Sequence, residues 1–255
     1  MILYPNEKHG DHPLRGHLTR MIHRHETTRP RSMQSAIGPS QVGNPCPRSL
    51  GFTLVQSEGE ASSLPPSPRT DPLPAIVGTA MHSWLEAAAA TDNMIEQAVN
   101  STTHARWITE LDVTITSRSG RTIPGHCDLY DTETHTVIDW KVLGATTIKK
   151  IKADGMSPTY RAQIMLYALG LDQNSEYTPQ HVALALVPRN GPMGGVLLLV
   201  DDYDPDYAHD ALDRLDAVED TVTNDGWGSL EASPGDNCRY CPVPTSYCQE
   251  GEVWR

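Results

Sequence analysis

Three of the five cysteines in this 255-residue chain crowd one end: Cys238-Arg239-Tyr240-Cys241, six residues, then Cys248. Cys46 and Cys127 lie far upstream. An odd number of cysteines with no apolar leader ahead of them argues against a disulfide framework. A C-x-x-C turn instead lets two thiolates reach one metal centre. Pro234, Gly235, Pro242 and Pro244 keep the segment out of regular helix and strand. Such a centre needs four soft ligands, and only three are local. The fourth comes either from Cys46, in the proline-bounded turn Asn44-Pro45-Cys46-Pro47, or from Cys127, embedded in a strand pattern; the turn is the better candidate. Either choice obliges distant parts of the chain to fold back on each other. Zinc and an iron–sulfur cluster both accept four thiolates, and spacing alone leaves the two open.

Apolar runs fall short of the roughly eighteen residues a membrane helix needs, and no secretory h-region is present, so the expected location is cytoplasmic. A net charge of −12 speaks against nucleic acid at first sight. Residues 201–236, however, hold twelve acids against the single base Arg214. The acidity is local, the remainder is nearly neutral, and a DNA partner stays open.

Residues 1–35 are basic and histidine-rich (His9, His12, His17, His23, His25), with no sustained apolar period, and read as a disordered or loosely attached arm. Residues 36–75 read as a short helix running from about residue 40 past Cys46 to Leu54, then a Ser/Pro/Gly-rich linker over 57–74. Residues 76–230 read as the main domain. It opens with an alanine-rich helix that sets Met81, Leu85 and Ala88 on one side and His82 and Glu86 on another. Strands are expected over 107–117, 122–130 (broken at Pro124-Gly125) and 135–141, then a helix over 160–171. A strand over 181–187 is apolar enough to be buried on both faces, and another follows over 196–200. An acidic helix over 206–223 buries Ala211, Leu212, Leu215 and Val218. Residues 231–255 form the cysteine-bearing end. The pattern predicts a layered α/β fold.

Asp139 and Lys141, two apart on one strand, share a face. Asp128 lies across a tight hairpin from them, and two carboxylates so close call for a cation between them. Oxygen ligands of this kind suit magnesium or manganese. The lysine would orient an attacking water or offset charge developing on a phosphate.

Asp128, ten intervening residues and Asp139-Trp140-Lys141 together resemble the PD-(D/E)xK nuclease signature. Gly78-Thr79-Ala80-Met81-His82 resembles the glycine-and-histidine helix of its RecB-like branch, and Gln163-Ile164-Met165-Leu166-Tyr167 resembles that branch's Q-x-x-x-Y helix. With Cys46 and the cysteine triplet, the pattern is similar to that of the iron–sulfur exonucleases of this branch, which include CRISPR-associated "Cas four" proteins and stand-alone phage relatives. Cys127 stands where the signature's proline would be. The resemblance implies a restriction-endonuclease-like core, a mixed sheet flanked by helices, with a subdomain built from both chain ends around a 4Fe–4S cluster rather than zinc, held by Cys46, Cys238, Cys241 and Cys248. It implies His82, Asp128, Asp139 and the main-chain carbonyl of Trp140 as ligands of magnesium or manganese. Lys141 would be the catalytic lysine, with Gln163 and Tyr167 positioning substrate or the lysine.

The expected activity is therefore metal-dependent DNA exonucleolysis at single-stranded ends, with 5′→3′ polarity, in recombination, repair or CRISPR adaptation alongside proteins of those pathways. Lys149, Lys150 and Lys152, in a loop, and Arg161 would track the phosphate backbone, and Trp140 and Tyr160 are candidates for stacking on bases. Two alternatives compete: a catalytically silent DNA-binding or assembly factor, and a zinc-stabilised interaction module.

Overall fold

The computed structural model describes residues 13–28, 37–57, 64 and 71–250. Much of the expected linker over 57–74, together with His9 and His12, lies outside the described residues. Seven helices and five strands follow in the order α1 (Pro13–Thr27), α2 (Pro39–Val42), α3 (Pro47–Ser57), α4 (Leu73–Asn100), β1 (Trp107–Thr116), β2 (Thr122–Asp131), β3 (Thr136–Leu143), α5 (Ala145–Asp154), α6 (Pro158–Asn174), β4 (His181–Pro188), β5 (Leu197–Asp202) and α7 (Pro205–Asp225) among the described residues.

The strands form one mixed sheet in chain order. β1, β2 and β3 are antiparallel neighbours, β3 and β4 are parallel, and β5 closes the edge antiparallel to β4. Parallel pairing of β3 with β4 requires a crossover, and α5 and α6 supply it. Apolar alternation sets the faces: Val113 and Ile115 of β1 and Ile123 and Cys127 of β2 enter the main core beneath α6. β4, apolar at consecutive positions, is buried from Val182 to Val187 as its composition predicts. A smaller core joins Ile151 of α5 to Leu184 and Leu186.

α6 is buried continuously from Ala162 to Leu171. It starts where the Ser157 hydroxyl accepts from the Tyr160 amide and Pro158 fixes the first turn. α7 is capped likewise by Asp204, and buries Ala208, Ala211, Leu212, Leu215 and Val218. Its acidic face is met by the β1–β2 turn, where Arg118 reaches Asp213 at 2.5 Å and Arg121 pairs with Asp216 and Glu219.

Four expectations are corrected. Part of the N-terminal arm is helical, as α1. The helix expected to run through Cys46 is two helices: Gly43 approaches α6 so closely that a Cβ there would lie 2.7 Å from the Thr159 Cα. Asn44 then turns the chain, its Oδ1 accepting from the Cys46 amide at 3.0 Å. Arg214 of α7 donates to the freed carbonyls of Val42 and Asn44 at 2.5 and 2.7 Å. Lys149, Lys150 and Lys152 lie on helix α5 rather than in a loop, and Pro124-Gly125 does not interrupt β2.

Candidate metal and nuclease site

The β2–β3 ladder runs from Asp131/Thr136 to Leu129/Ile138 and stops there. The next opposed pair would be Asp128 and Asp139. There the Trp140 amide donates to Asp128 Oδ2 at 2.9 Å. The strands thus part where two carboxylates would face each other, as like-charge repulsion demands.

Asp128 Oδ1 lies 3.3 Å from His82 Nδ1 on α4. This contact, more than burial opposes it, raises the His82 pKa. A third group joins them. Glu110 of β1 falls between the pairs Thr109/Leu129 and Leu111/Cys127, opposite Asp128, and its φ of 49° is left-handed. Non-glycine residues seldom adopt that conformation inside a strand. Ligand atoms of His82, Glu110 and Asp128 all lie within 4.8 Å of one another, the one such group of three among the described residues. One imidazole nitrogen and two carboxylates make a donor set that suits a borderline-hard divalent ion. The residues fit such an ion.

Asp139 is 1% exposed, and its carboxylate turns towards α6 and Lys141. Oδ1 accepts from Gln163 Nε2 at 3.0 Å, and Oδ2 is 2.6 Å from Lys141 Nζ. Gln163 Oε1 accepts from Lys141 Nζ at 3.0 Å, and Gln163 Nε2 also donates to the Tyr167 hydroxyl at 3.0 Å. The Asp139 pKa is raised to about 6, chiefly because burial disfavours the carboxylate, with Lys141 opposing and Asp128 reinforcing the shift. Burial likewise pushes the Tyr167 hydroxyl up, so it stays protonated. Tyr160 lies under the Lys141 ammonium, 5.3 Å from nitrogen to ring centroid.

The structure therefore gathers His82, Asp128, Asp139, Lys141, Gln163 and Tyr167 from α4, β2, β3 and α6, with Trp140 joined to Asp128 through its amide. Glu86 is exposed on α4. The basic residues fare differently. Lys150 pairs with Asp236. Arg161 pairs with Asp201 at 2.9 Å and stacks on Tyr207, while Lys149 and Lys152 are exposed on α5. Glu110 escaped the sequence reading because a polar residue on a half-buried strand looks ordinary. Register counting from a three-residue turn over 118–120, rather than from Ser119-Gly120 alone, would have set it opposite Asp128.

At the far side of α3, Cys46, Cys238, Cys241 and Cys248 line one small cavity with Ser49 and Ser233. Main-chain amides of Ser233 and Gly235 donate to Cys46 Sγ and Cys238 Sγ, each at 3.4 Å. The two chain regions also meet through Arg48, whose Nε donates to the Leu230 carbonyl at 2.8 Å, and through Phe52 edge-on to Trp227 at 5.1 Å. Cys127 is elsewhere. It is fully buried in the sheet core, its thiol donates to the Leu129 carbonyl at 3.4 Å, and burial keeps it protonated.

The chain is similar to an alkaline exonuclease (LHK-Exo) from Laribacter hongkongensis, with 12% identity and a TM-score of 0.44 over 76% of this chain and 90% of that one. It is also similar to a protein described as a candidate exonuclease from Eubacterium rectale, with 14% identity and a TM-score of 0.47 over 91% and 92%. Among curated proteins none matches. No described helix is long and apolar enough to cross a membrane. The profile of the PD-(D/E)XK nuclease superfamily matches residues 96–249, more than half of the sequence and all the acidic, lysine and glutamine positions above from Glu110 onward. The chain belongs to the PD-(D/E)XK nuclease superfamily.

Proposed function

We propose that this protein is a magnesium- or manganese-dependent DNA exonuclease that acts on single-stranded ends. The observation that carries the reading is the convergence of His82, Glu110 and Asp128 within 4.8 Å, beside the Asp139–Lys141 pair. In it His82, Glu110, Asp128, Asp139 and the Trp140 carbonyl hold the ion. A divalent ion there supplies the Lewis acidity that phosphodiester hydrolysis uses. Lys141, steadied by Asp139 and Gln163, offsets charge developing on the scissile phosphate. Tyr167 holds Gln163 in register, and Lys149 and Lys152 guide the strand. The single-strand preference and the 5′→3′ polarity rest on the family resemblance.

The four cysteines at one cavity support a 4Fe–4S cluster that joins residues 36–75 to residues 231–255 around the nuclease core. Main-chain N–H donors to the sulfurs are the kind of contact that tunes such centres.

The test is digestion of single-stranded DNA labelled at either end, with magnesium, manganese or chelator, by protein purified without oxygen. Expected are metal-dependent release of mononucleotides or short oligonucleotides from the 5′ end, loss of that activity in Asp139→Ala and Lys141→Ala, and a brown protein. Inert DNA ends, or equal cutting by both variants, would overturn the nuclease assignment; colourless, iron-free protein with bound zinc would overturn the cluster.

A further inference from the structure

α4 lies against β1, β2 and β3, yet none of its residues is buried. Its outer face is apolar. Trp84 and Ile95, 60% and 53% exposed, bound a shallow groove floored by Ala87, Ala88 and Thr91 and edged by Asp92. The three-and-four spacing of positions 84, 88, 91 and 95 makes a continuous stripe. Small residues between large ones leave the kind of furrow into which another helix packs its ridge. α4 carries Glu86, Asp92 and Glu96 and neither lysine nor arginine.

α1 has the opposite character. Leu18, Met21 and Ile22 form an exposed apolar stripe, and the helix bears Arg20 and Arg24 with His17, His23 and His25. A helix of 15 residues is marginal in water unless its apolar face is packed. At 1.5 Å per residue it is about 22 Å long, the reach of positions 84–99 of α4. Within one chain both stripes stay exposed among the described residues.

We infer that α1 of one copy lies in the α4 groove of a second copy, which returns the contact, so that two chains form a closed two-fold dimer. The apolar stripes meet, and the α1 arginines face Asp92 and Glu96. The exchange also clamps the helix that carries His82, two residues from Trp84. The inference stands independently of the proposed chemistry.

The experiment is light scattering coupled to gel filtration on the full chain. The wild type is expected to run at twice its 28.0 kDa mass. Met21→Glu and Ile95→Glu, each at an exposed position, are expected to halve that mass while keeping the thermal transition of the sheet domain. Met21→Ala serves as a milder second variant and should shift dimers towards monomers at low concentration. A monomeric wild type overturns the inference, including one whose α1 amides resist hydrogen exchange, since α1 would then dock on its own chain. A dimer that survives both glutamate substitutions overturns it too.

Discussion

Gln163 Nε2 donates to Asp139 Oδ1 at 3.0 Å, and through this bond α6 governs how the buried carboxylate presents itself. The same amide accepts from Lys141 and donates to Tyr167, so one side chain satisfies three others. Removing it as Gln163→Ala leaves an acid, an amine and a hydroxyl without their partner in a site largely closed to water. The expected cost is about 1–3 kcal/mol of stability, read by chemical denaturation, and roughly a hundredfold of kcat with substrate binding little changed. Gln163→Glu keeps the shape but adds a negative charge beside Asp139, and should lose as much rate.

Asp139 makes the metal-free protein sensitive to pH in a defined direction. Its pKa rises from 3.8 to about 6 on folding. Between those values the folded state keeps a proton that the unfolded state has lost, so protonation favours the fold. This group's contribution is therefore most favourable below the unfolded value and is lost as pH climbs through the folded one. Two units correspond to about 3 kcal/mol as an upper bound. In chelator, Asp139→Asn should melt above wild type at pH 7, and the gap should shrink as pH falls to 5. A gap independent of pH would contradict the burial argument.

The five strands were legible because alternation and turn residues are local signals, and the burial of β4 on both faces followed from its unbroken apolar run. The acid–lysine strand was legible from spacing, and the pairing of Gln163 with Tyr167 from the family resemblance. α5 was not, since its apolar residues are few (Ile148 and Ile151) and its lysines resemble a solvated loop. The break in the helix around Cys46 depends on Gly43 meeting Thr159, a contact 116 residues apart in sequence. Glu110 was hidden for a similar reason: its role depends on strand register and a left-handed backbone, neither of which a window of sequence displays.

Glu110 and His82 should be separable by their proton dependence. Neutral imidazole is the ligating form, and Asp128 raises the His82 pKa, so protons compete with the ion. Manganese binding, followed by calorimetry in buffers of different ionisation enthalpy, should release a proton at pH 6 to 7 and tighten as pH rises through the His82 titration. His82→Ala should weaken binding and reduce the release to the share that Asp139, raised to about 6, supplies. Glu110→Gln should weaken binding about tenfold yet keep the proton release. Unchanged manganese affinity in Glu110→Gln would remove that residue from the ligand set.

The cysteines divide into two environments, and substitution should expose the division. Cys241 shares its cavity with Cys46, Cys238 and Cys248, whereas Cys127 is an inert thiol under α6, protonated because burial disfavours its thiolate. Cys127→Ala removes only a buried sulfur, at a cost of about 1 kcal/mol, and should leave the iron content at wild-type level. Cys241→Ala should strip iron and visible absorbance together, and lower the midpoint of thermal unfolding by freeing residues 46–57 from residues 230–250. Activity per folded molecule should survive longer than stability, because no cysteine belongs to the group formed by His82, Glu110 and Asp128. Iron retained at full stoichiometry in Cys241→Ala, or lost in Cys127→Ala, would reassign the ligands.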